Sequence, residues 1–171
     1  INTQDLLAAL SSVAPGIQAV LTDRMSYEEL STTLQTAAPQ QVAFFVSFWK
    51  DGTSRNIEPA LLDAVFRKSA IPVFGRSEWM INHGMVGGKC VTGFSQGEAA
   101  ARIALQILGG TPVSALPVDT NSPNQYLFDY RMMQHYLIAV DIFPENSIGF
   151  NLPEHFYRIS KPVGIYTFAK D

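Results

Sequence analysis

Seven residues that could contact a small molecule follow three apolar segments of this chain. They are Phe48, Trp49, Arg76, Ser77, Glu78, Phe94 and Gln96. Aromatic faces, a guanidinium group, a hydroxyl, a carboxylate and an amide make up the mixture that small-molecule sites use to hold a polar or aromatic ligand. The guanidinium of Arg76 could bind a ligand carboxylate through two parallel hydrogen bonds, or it could pair with Glu78 or Asp51. The chemistry indicated by these residues is recognition.

A catalytic alternative rests on Ser95. It lies in Gly-Phe-Ser-Gln-Gly, which matches the G-x-S-x-G turn that exposes the nucleophilic serine of α/β-hydrolases. The acids and histidines that a triad would need come later in the chain: Asp119, Asp129, Asp141, His135 and His155. However, the glycine loop HGMVGG lies directly before the same strand, whereas an oxyanion loop belongs to an earlier crossing. Ser95 and Glu98 also have the spacing of a capping box, which explains both residues without catalysis.

Metal, phosphate and cofactor chemistry are not indicated. His83, His135 and His155 have no ligand spacing with cysteines or carboxylates. The segment Gly87-Gly88-Lys89 fails as a phosphate loop, because His83 stands at the first glycine position and Cys90 replaces the hydroxyl residue. Cys90 is the single cysteine, and we interpret it as a small buried residue in a strand. We therefore predict no catalytic residue, no metal ligand and no cofactor.

The elements that position the seven residues alternate between helix and strand. Residues 42–48 are apolar except for Ser47 and do not alternate, which is typical of a central strand with both faces covered, and residues 71–74 and 88–94 are predicted as further strands. Residues 17–21 alternate weakly as a strand. Ser26 and Glu29 predict the start of a helix, Pro59 lies in the first turn of another, and a long helix ends at Gly109. Ligands of open parallel sheets bind at the carboxyl ends of the strands, where the seven residues are expected.

Length and charge exclude several classes of protein. The chain has 171 residues, 47% of them hydrophobic, which is enough to bury the core of one domain. Charged residues make up 16% and the net charge is -3, so a nucleic-acid-binding surface is not indicated. No apolar run approaches the ~20 residues that a membrane-spanning helix needs.

Four segments carry a resemblance to a known family: FFVSFWKDGTSR, IPVFG, HGMVGG and GFSQGEAAARIALQILGGTPVSALPV. They resemble the second lobe of the substrate-binding proteins of ABC transporters. The most similar variant is the extracytoplasmic sensor domain of bacterial histidine kinases and diguanylate cyclases. The resemblance covers residues 2–151. Its most specific part is a strand end followed by Gln-Gly, a helix of small residues, Gly-Gly-x-Pro and a final x-Pro-Val.

The resemblance implies a fold and a function. Residues 1–118 would form a three-layer α/β lobe with a parallel sheet, of the periplasmic-binding-protein type. Residues 119–171 would be a C-terminal extension that packs on the lobe or leads to a membrane segment. The lobe would bind a small polar or aromatic solute, such as an amino acid or a carboxylate, without catalysis. The loops after the third, fourth and fifth strands would supply the contacts, which places them at Phe48, Trp49, Arg76, Ser77, Glu78, Phe94 and Gln96.

The resemblance also implies a cellular setting. The domain would be periplasmic or extracytoplasmic, in an inner-membrane protein whose other parts could be a kinase or cyclase, or in a transport system. A homodimer is left open, and no nucleic-acid partner is expected. In the resembled lobe a strand precedes the first helix, but this chain begins with that helix, so residues 163–168 (VGIYTF) are a candidate for the missing strand. One lobe carries half of a site, so we expect weak binding by this chain alone.

Overall fold

The structure is a computed structural model that describes residues 3–47, 50–118 and 121–154. Phe48, Trp49, Asp119, His155 and residues 163–168 lie outside the described residues. The helices are α1 Thr3–Val13, α2 Tyr27–Gln35, α3 Pro59–Arg67, α4 Gly93–Leu108 and α5 Tyr130–His135. The strands are β1 Ala43–Phe45, β2 Val73–Gly75, β3 Gly87–Cys90, β4 Gln125–Asp129 and β5 Ile148–Phe150. Short 3₁₀ helices span Glu78–Met80, Val113–Ala115 and Val140–Ile142.

The five strands form one mixed sheet in the order β1-β2-β3-β4-β5. Neighbouring strands are parallel except for β3 and β4, which are antiparallel. The fold is therefore α/β with a mostly parallel sheet, as predicted, and it is consistent with a three-layer arrangement. β4 and β5 come from the segment predicted as an extension, and they continue the same sheet as β1 to β3.

One face of the sheet carries the core. Phe45 of β1 meets Phe66 of α3 edge to face, with ring centroids 5.2 Å apart. The core is formed by buried side chains from α2, α3, three strands and the connecting loops: Leu30, Leu34, Ile57, Leu62, Val65, Phe66, Ile71, Val73, Met80, Ile81, Met85, Cys90 and Leu127. Burial of this apolar surface is the main force that holds the sheet against α2 and α3.

The second face of the sheet is aromatic and less covered. Phe44 pairs in register with Phe74, Phe74 pairs with Gly87, and Gly87 pairs with Phe128, so these residues share the second face. The ring of Phe128 stacks on Phe143 at 4.6 Å, whereas Phe44 is 51% exposed. The helix α4 adds little cover, since only Ser95 and Ala99 of its residues are not exposed.

One strand prediction was wrong, and a second was met for part of its length. Residues 17–21 form no strand, and they are exposed. The apolar segment that was expected to be central contributes the three residues Ala43–Phe45, and among the described residues β1 is at the edge of the sheet. The alternation of residues 17–21 is too short to secure strand pairing without a neighbouring strand. Continuous hydrophobicity indicates that the faces of a strand are covered, and it does not fix the position of that strand in the sheet.

Candidate functional site

The candidate site lies at the edge where β2 and β3 end and β4 begins. Arg76 follows the last residue of β2, and Ser77 forms an isolated parallel bridge with Val91, directly after β3. Because β4 runs antiparallel to β3, Asn124, the residue before β4, lies at this same edge. The edge therefore gathers the segments 76–78, 91–96 and 124.

Glu78 joins two of these segments. Its backbone N–H donates to the carbonyl of Val91 at 3.3 Å, and its Oε2 accepts a hydrogen bond from the N–H of Gly93 at 3.3 Å. Gly93 is the first residue of α4, so the carboxylate is at the positive end of the helix dipole, where a negative charge is stabilised. Glu78 thus has a structural role at the site, because its Oε2 is hydrogen-bonded to the first residue of α4.

The thiol of Cys90 lies buried beneath this edge. Burial, with a smaller contribution from the charge of Glu78, raises the pKa of Cys90 to about 11. The thiol therefore stays protonated at neutral pH, and nothing in its surroundings activates it as a nucleophile. The interpretation of Cys90 as a small buried residue is confirmed.

Thr92, and not Ser95, caps α4. The Oγ1 of Thr92 accepts a hydrogen bond from the N–H of Ser95 at 3.0 Å, so the helix begins three residues earlier than the Ser95 capping box predicted. Glu98 instead pairs with Arg102, Oε1 to Nη2, at 2.6 Å. The prediction failed because Thr92 offers the same side-chain oxygen as a serine cap, three residues earlier in the sequence.

The surroundings of Ser95 give no support to the hydrolase alternative. Its side chain is 5% exposed, and its Oγ lies 2.7 Å from the Oγ1 of Thr92, with a longer contact to the Thr92 carbonyl. A nucleophile elbow presents its hydroxyl to the substrate. Here the hydroxyl is buried and hydrogen-bonded in the first turn of α4.

Phe94 and Gln96 lie on the accessible side of the same helical turn. Phe94 is 75% exposed, and Gln96 donates through Nε2 to the Oδ1 of Asn124 at 3.1 Å. The sequence prediction missed Asn124 and Thr92. A turn-rich segment before an apolar run is a signal for the start of a strand, but only the antiparallel direction of β4 brings Asn124 to the site.

Arg76 differs from its neighbours at this edge. Its side chain is half-buried, and its guanidinium forms no ion pair or hydrogen bond with the residues that the structure describes. Asp51, one of its predicted partners, instead accepts hydrogen bonds from its own loop, and Glu78 binds Gly93. The structure therefore brings Arg76, Ser77, Glu78, Phe94 and Gln96 to one edge.

A second polar cluster lies at the opposite edge of the sheet. The buried Asp129 caps α5 by accepting from the N–H groups of Arg131 and Met132, and it also accepts from Asn151 at 2.9 Å. Asn151 donates to Asn82 as well, at 2.6 Å. These groups satisfy one another, so the cluster has a structural explanation. Within residues 3–47, 50–118 and 121–154 no group of three or more His, Cys, Asp or Glu side chains could hold a metal ion.

Comparisons with known proteins give one match, at the level of fold. No model of a protein family matches the chain, and no curated protein matches it. A solved structure described as a conserved domain protein from Vibrio cholerae O1 biovar eltor str. N16961 is similar, with a TM-score of 0.51 and 14% sequence identity. The match covers 86% of this chain and 49% of that one, so this chain spans about half the length of the solved structure. At this identity the likeness concerns the α/β fold alone.

Among the residues that the structure describes, no helix is both long enough and apolar enough to span a membrane.

Proposed function

We propose that this chain is a ligand-binding lobe that recognises a small polar or aromatic solute without catalysis. The ligand would contact Arg76, Ser77, Glu78, Phe94 and Gln96 at the edge where β2 and β3 end, with Phe48 and Trp49 supplying further aromatic contacts. An amino acid or another small carboxylate fits this set, because the guanidinium would bind the carboxylate and an aromatic ring would cover the apolar part.

The observation that carries the proposal is Arg76, a half-buried residue whose guanidinium pairs with no described residue. An unpaired guanidinium can form two parallel hydrogen bonds with a ligand carboxylate. The exposed ring of Phe94 and the amide of Gln96 lie on α4 at the same edge, so a charged, an aromatic and a hydrogen-bonding group are available together.

Two further observations support a lobe rather than a complete receptor. The matching solved structure is about twice the length that this chain covers. The sequence also resembles the second lobe of ABC-transporter substrate-binding proteins, especially the sensor domains of bacterial histidine kinases and diguanylate cyclases. In such a protein the solute lies between two lobes, and hinge closure is the output. We extend the proposal to an extracytoplasmic sensor or solute-binding protein, anchored in the inner membrane and open to homodimer formation.

The binding proposal is tested by titrating the ¹⁵N-labelled chain with amino acids and small carboxylates and following the backbone amide signals. One lobe should bind weakly, in the millimolar range that corresponds to about 4 kcal/mol. We expect one solute class to shift the amides of Arg76, Ser77, Glu78, Phe94 and Gln96. Arg76→Ala should abolish the shifts, and Arg76→Lys should weaken binding, because a lysine cannot form the bidentate pair.

The matched control is Arg102→Ala, which removes an exposed arginine from α4, distant along the helix from the site. It should leave the titration unchanged. Shifts confined to another surface, equal binding by Arg76→Ala, or nanomolar binding to this chain alone would contradict the proposal. Labelling of Ser95 by a fluorophosphonate probe, lost in Ser95→Ala, would favour the hydrolase alternative instead.

The proposal of a membrane-anchored, extracytoplasmic protein is tested separately on the complete gene product. Its sequence should contain a second α/β lobe and a membrane-spanning segment, and its intact mass should match that sequence. A product of 171 residues would contradict the sensor assignment while leaving the titration of the lobe to stand on its own.

A further inference from the structure

The helix α4 is held to the rest of the lobe near its N-terminus. Its cap, Thr92, is 2% exposed, and Ser95 in the first turn is 5% exposed. Ala99, one turn later, is half-buried, whereas residues 100–108 are all exposed. A helix of 16 residues that does not pack along its length is only marginally stable in water. The folded state of α4 therefore depends on the contacts made by its first turns.

Side-chain hydrogen bonds join this end of α4 to the strands. The carboxylate of Glu78, after β2, accepts from the N–H of Gly93 at 3.3 Å. The side-chain amide of Gln96 donates to Asn124, before β4, at 3.1 Å. Both hydrogen bonds are exposed, and a bond of this kind adds little to stability because water competes for the same groups. The first turn of α4 is thus attached to the candidate site by individually weak contacts.

The proposed ligand contacts are divided between the sheet and this turn of α4. Arg76 and Ser77 follow β2, and Ser77 is fixed to β3 by its bridge with Val91. Phe94 and Gln96 belong to α4, so they are in place only while its first turn is folded. A solute that contacts both groups binds the folded helix more tightly than the open one. By linkage, such a solute also stabilises the folded helix.

We propose that solute binding at this edge is coupled to the folding of α4. The helix opens readily in the free lobe, and it stays folded when a solute bridges Arg76 and Phe94. The inference rests on the proposed function, because it uses the same contacts. It adds an output that one lobe can produce by itself, since the folding of α4 changes the surface that the lobe presents. Ordering of a segment by a ligand is a general switching mechanism of proteins.

The direct test measures hydrogen exchange of the ¹⁵N-labelled chain with and without phenylacetate, whose carboxylate and ring match Arg76 and Phe94. At ten times its measured dissociation constant, a ligand that binds only the folded helix slows exchange through opening of α4 about elevenfold. We expect this slowing at residues 97–108. The amides of α1, which takes no part in the site, should exchange at the same rate with and without the ligand. Sodium chloride at the same concentration is the blank.

Three results of this measurement would overturn the proposal. If phenylacetate shifts the amides of Arg76 and Ser77 but leaves exchange in α4 unchanged, the solute binds without the helix, and the proposed function stands without the coupling. If α4 exchanges as slowly as β3 in the free lobe, there is no local opening for a solute to suppress. If phenylacetate shifts neither Arg76 nor Ser77, the coupling is wrong, and the titration with amino acids and other carboxylates decides the function.

A variant test opens the helix from outside the ligand contacts. Thr92→Val removes the capping hydroxyl, so exchange in α4 of the free lobe should become about fivefold faster, and Thr92→Ser, which keeps the hydroxyl, should restore the rate. Ala100→Pro breaks the helical turn that includes Gln96, so phenylacetate should bind about fivefold more weakly or worse. Ala9→Pro, at an exposed position of α1, is the matched control and should leave binding unchanged.

The amides between β3 and β4 report whether the variants keep the sheet. Unchanged binding by Ala100→Pro in a lobe with an intact sheet would overturn the coupling, because the solute would then bind without the first turns of α4. If Ala100→Pro loses protection throughout the sheet, the exchange measurement on the unaltered chain decides the question.

Discussion

Asp51 connects the loop after β1 with the start of α2. Its Oδ1 accepts from the N–H and hydroxyl of Thr53 at 2.9 and 2.7 Å and from the N–H of Arg55 at 3.0 Å, and its Oδ2 accepts from the N–H of Tyr27 at 3.3 Å. The side chain is 6% exposed. The hydrogen bond from Thr53, followed by those from the backbone, lowers the pKa of Asp51 below 3.8, against the opposing effect of burial.

We expect Asp51→Asn to destabilise the protein at neutral pH, because an amide has one acceptor oxygen where the carboxylate has two and would place its NH₂ group against a backbone donor. A lowered pKa in the folded state means that the carboxylate stabilises the fold above about pH 4 and that this stabilisation disappears as the pH falls through the folded-state pKa. The difference in melting temperature between the two chains should therefore shrink below pH 4.

Thermal unfolding of both chains between pH 2.5 and 7 measures this difference. Asp23→Asn makes the same charge change at an exposed position and is the control. If Asp51→Asn lowers the melting temperature by the same amount across this range, the charge of Asp51 has no part in the stability of the loop.

At the scale of elements, the contact between β2 and β3 depends on a glycine. Gly88 has φ 153°, and a Cβ there would lie 2.0 Å from the carbonyl oxygen of Gly75. Neither backbone can move without breaking the ladder. We expect Gly88→Ala to cost more than about 2 kcal/mol in the free energy of unfolding, from overpacking and backbone strain together.

Gly97→Ala is the matched substitution on α4. A Cβ at Gly97 meets nothing within 4 Å, and alanine favours a helix interior over glycine by about 0.5–1 kcal/mol. Urea unfolding should therefore show opposite signs for the two variants. Equal destabilisation by both would mean that the environment of α4 is as closely packed as that of β3.

Local signals in the sequence predicted several elements correctly. The capping box of Ser26 and Glu29 is present, with Ser26 accepting at 3.1 Å and Glu29 at 2.8 Å, and Pro59 is the first residue of α3. The long helix that was predicted to end at Gly109 is α4, which has Gly109 as its C-cap. In each case a few neighbouring residues supply both the signal and the contact, so the sequence alone is sufficient.

The parts that could not be predicted depend on contacts between distant residues. Sequence periodicity does not show that β4 runs antiparallel to β3, and this direction alone brings Asn124 to Gln96. It also does not distinguish Thr92 from Ser95 as a cap, because both carry hydroxyl groups. The positions of Arg76, Ser77 and Glu78 after a strand were predictable, whereas the lack of an ion pair at Arg76 required the surrounding side chains to be known.

At the scale of the whole molecule, stability should be unevenly distributed. The sheet, α2 and α3 bury the core, whereas α4 exposes its large apolar side chains: Phe94, Ile103, Leu105, Ile107 and Leu108. Alanine-rich sequence and the Thr92 cap favour α4, but an unpacked helix of this length is only marginally stable in water. The amides of α4 should therefore open far more readily than those of the core.

Hydrogen exchange followed by mass spectrometry should show this order, with peptides from the middle of α4 exchanging long before those from β3 and β4. Leu127→Ala, in the core, should cost about 2–5 kcal/mol, whereas Leu105→Ala, on α4, should change the free energy of unfolding by less than about 0.5 kcal/mol. Protection of α4 equal to that of β4, together with a large cost of Leu105→Ala, would contradict this. It would mean that the apolar side of α4 is covered in solution, because a helix gains such protection only from tertiary packing.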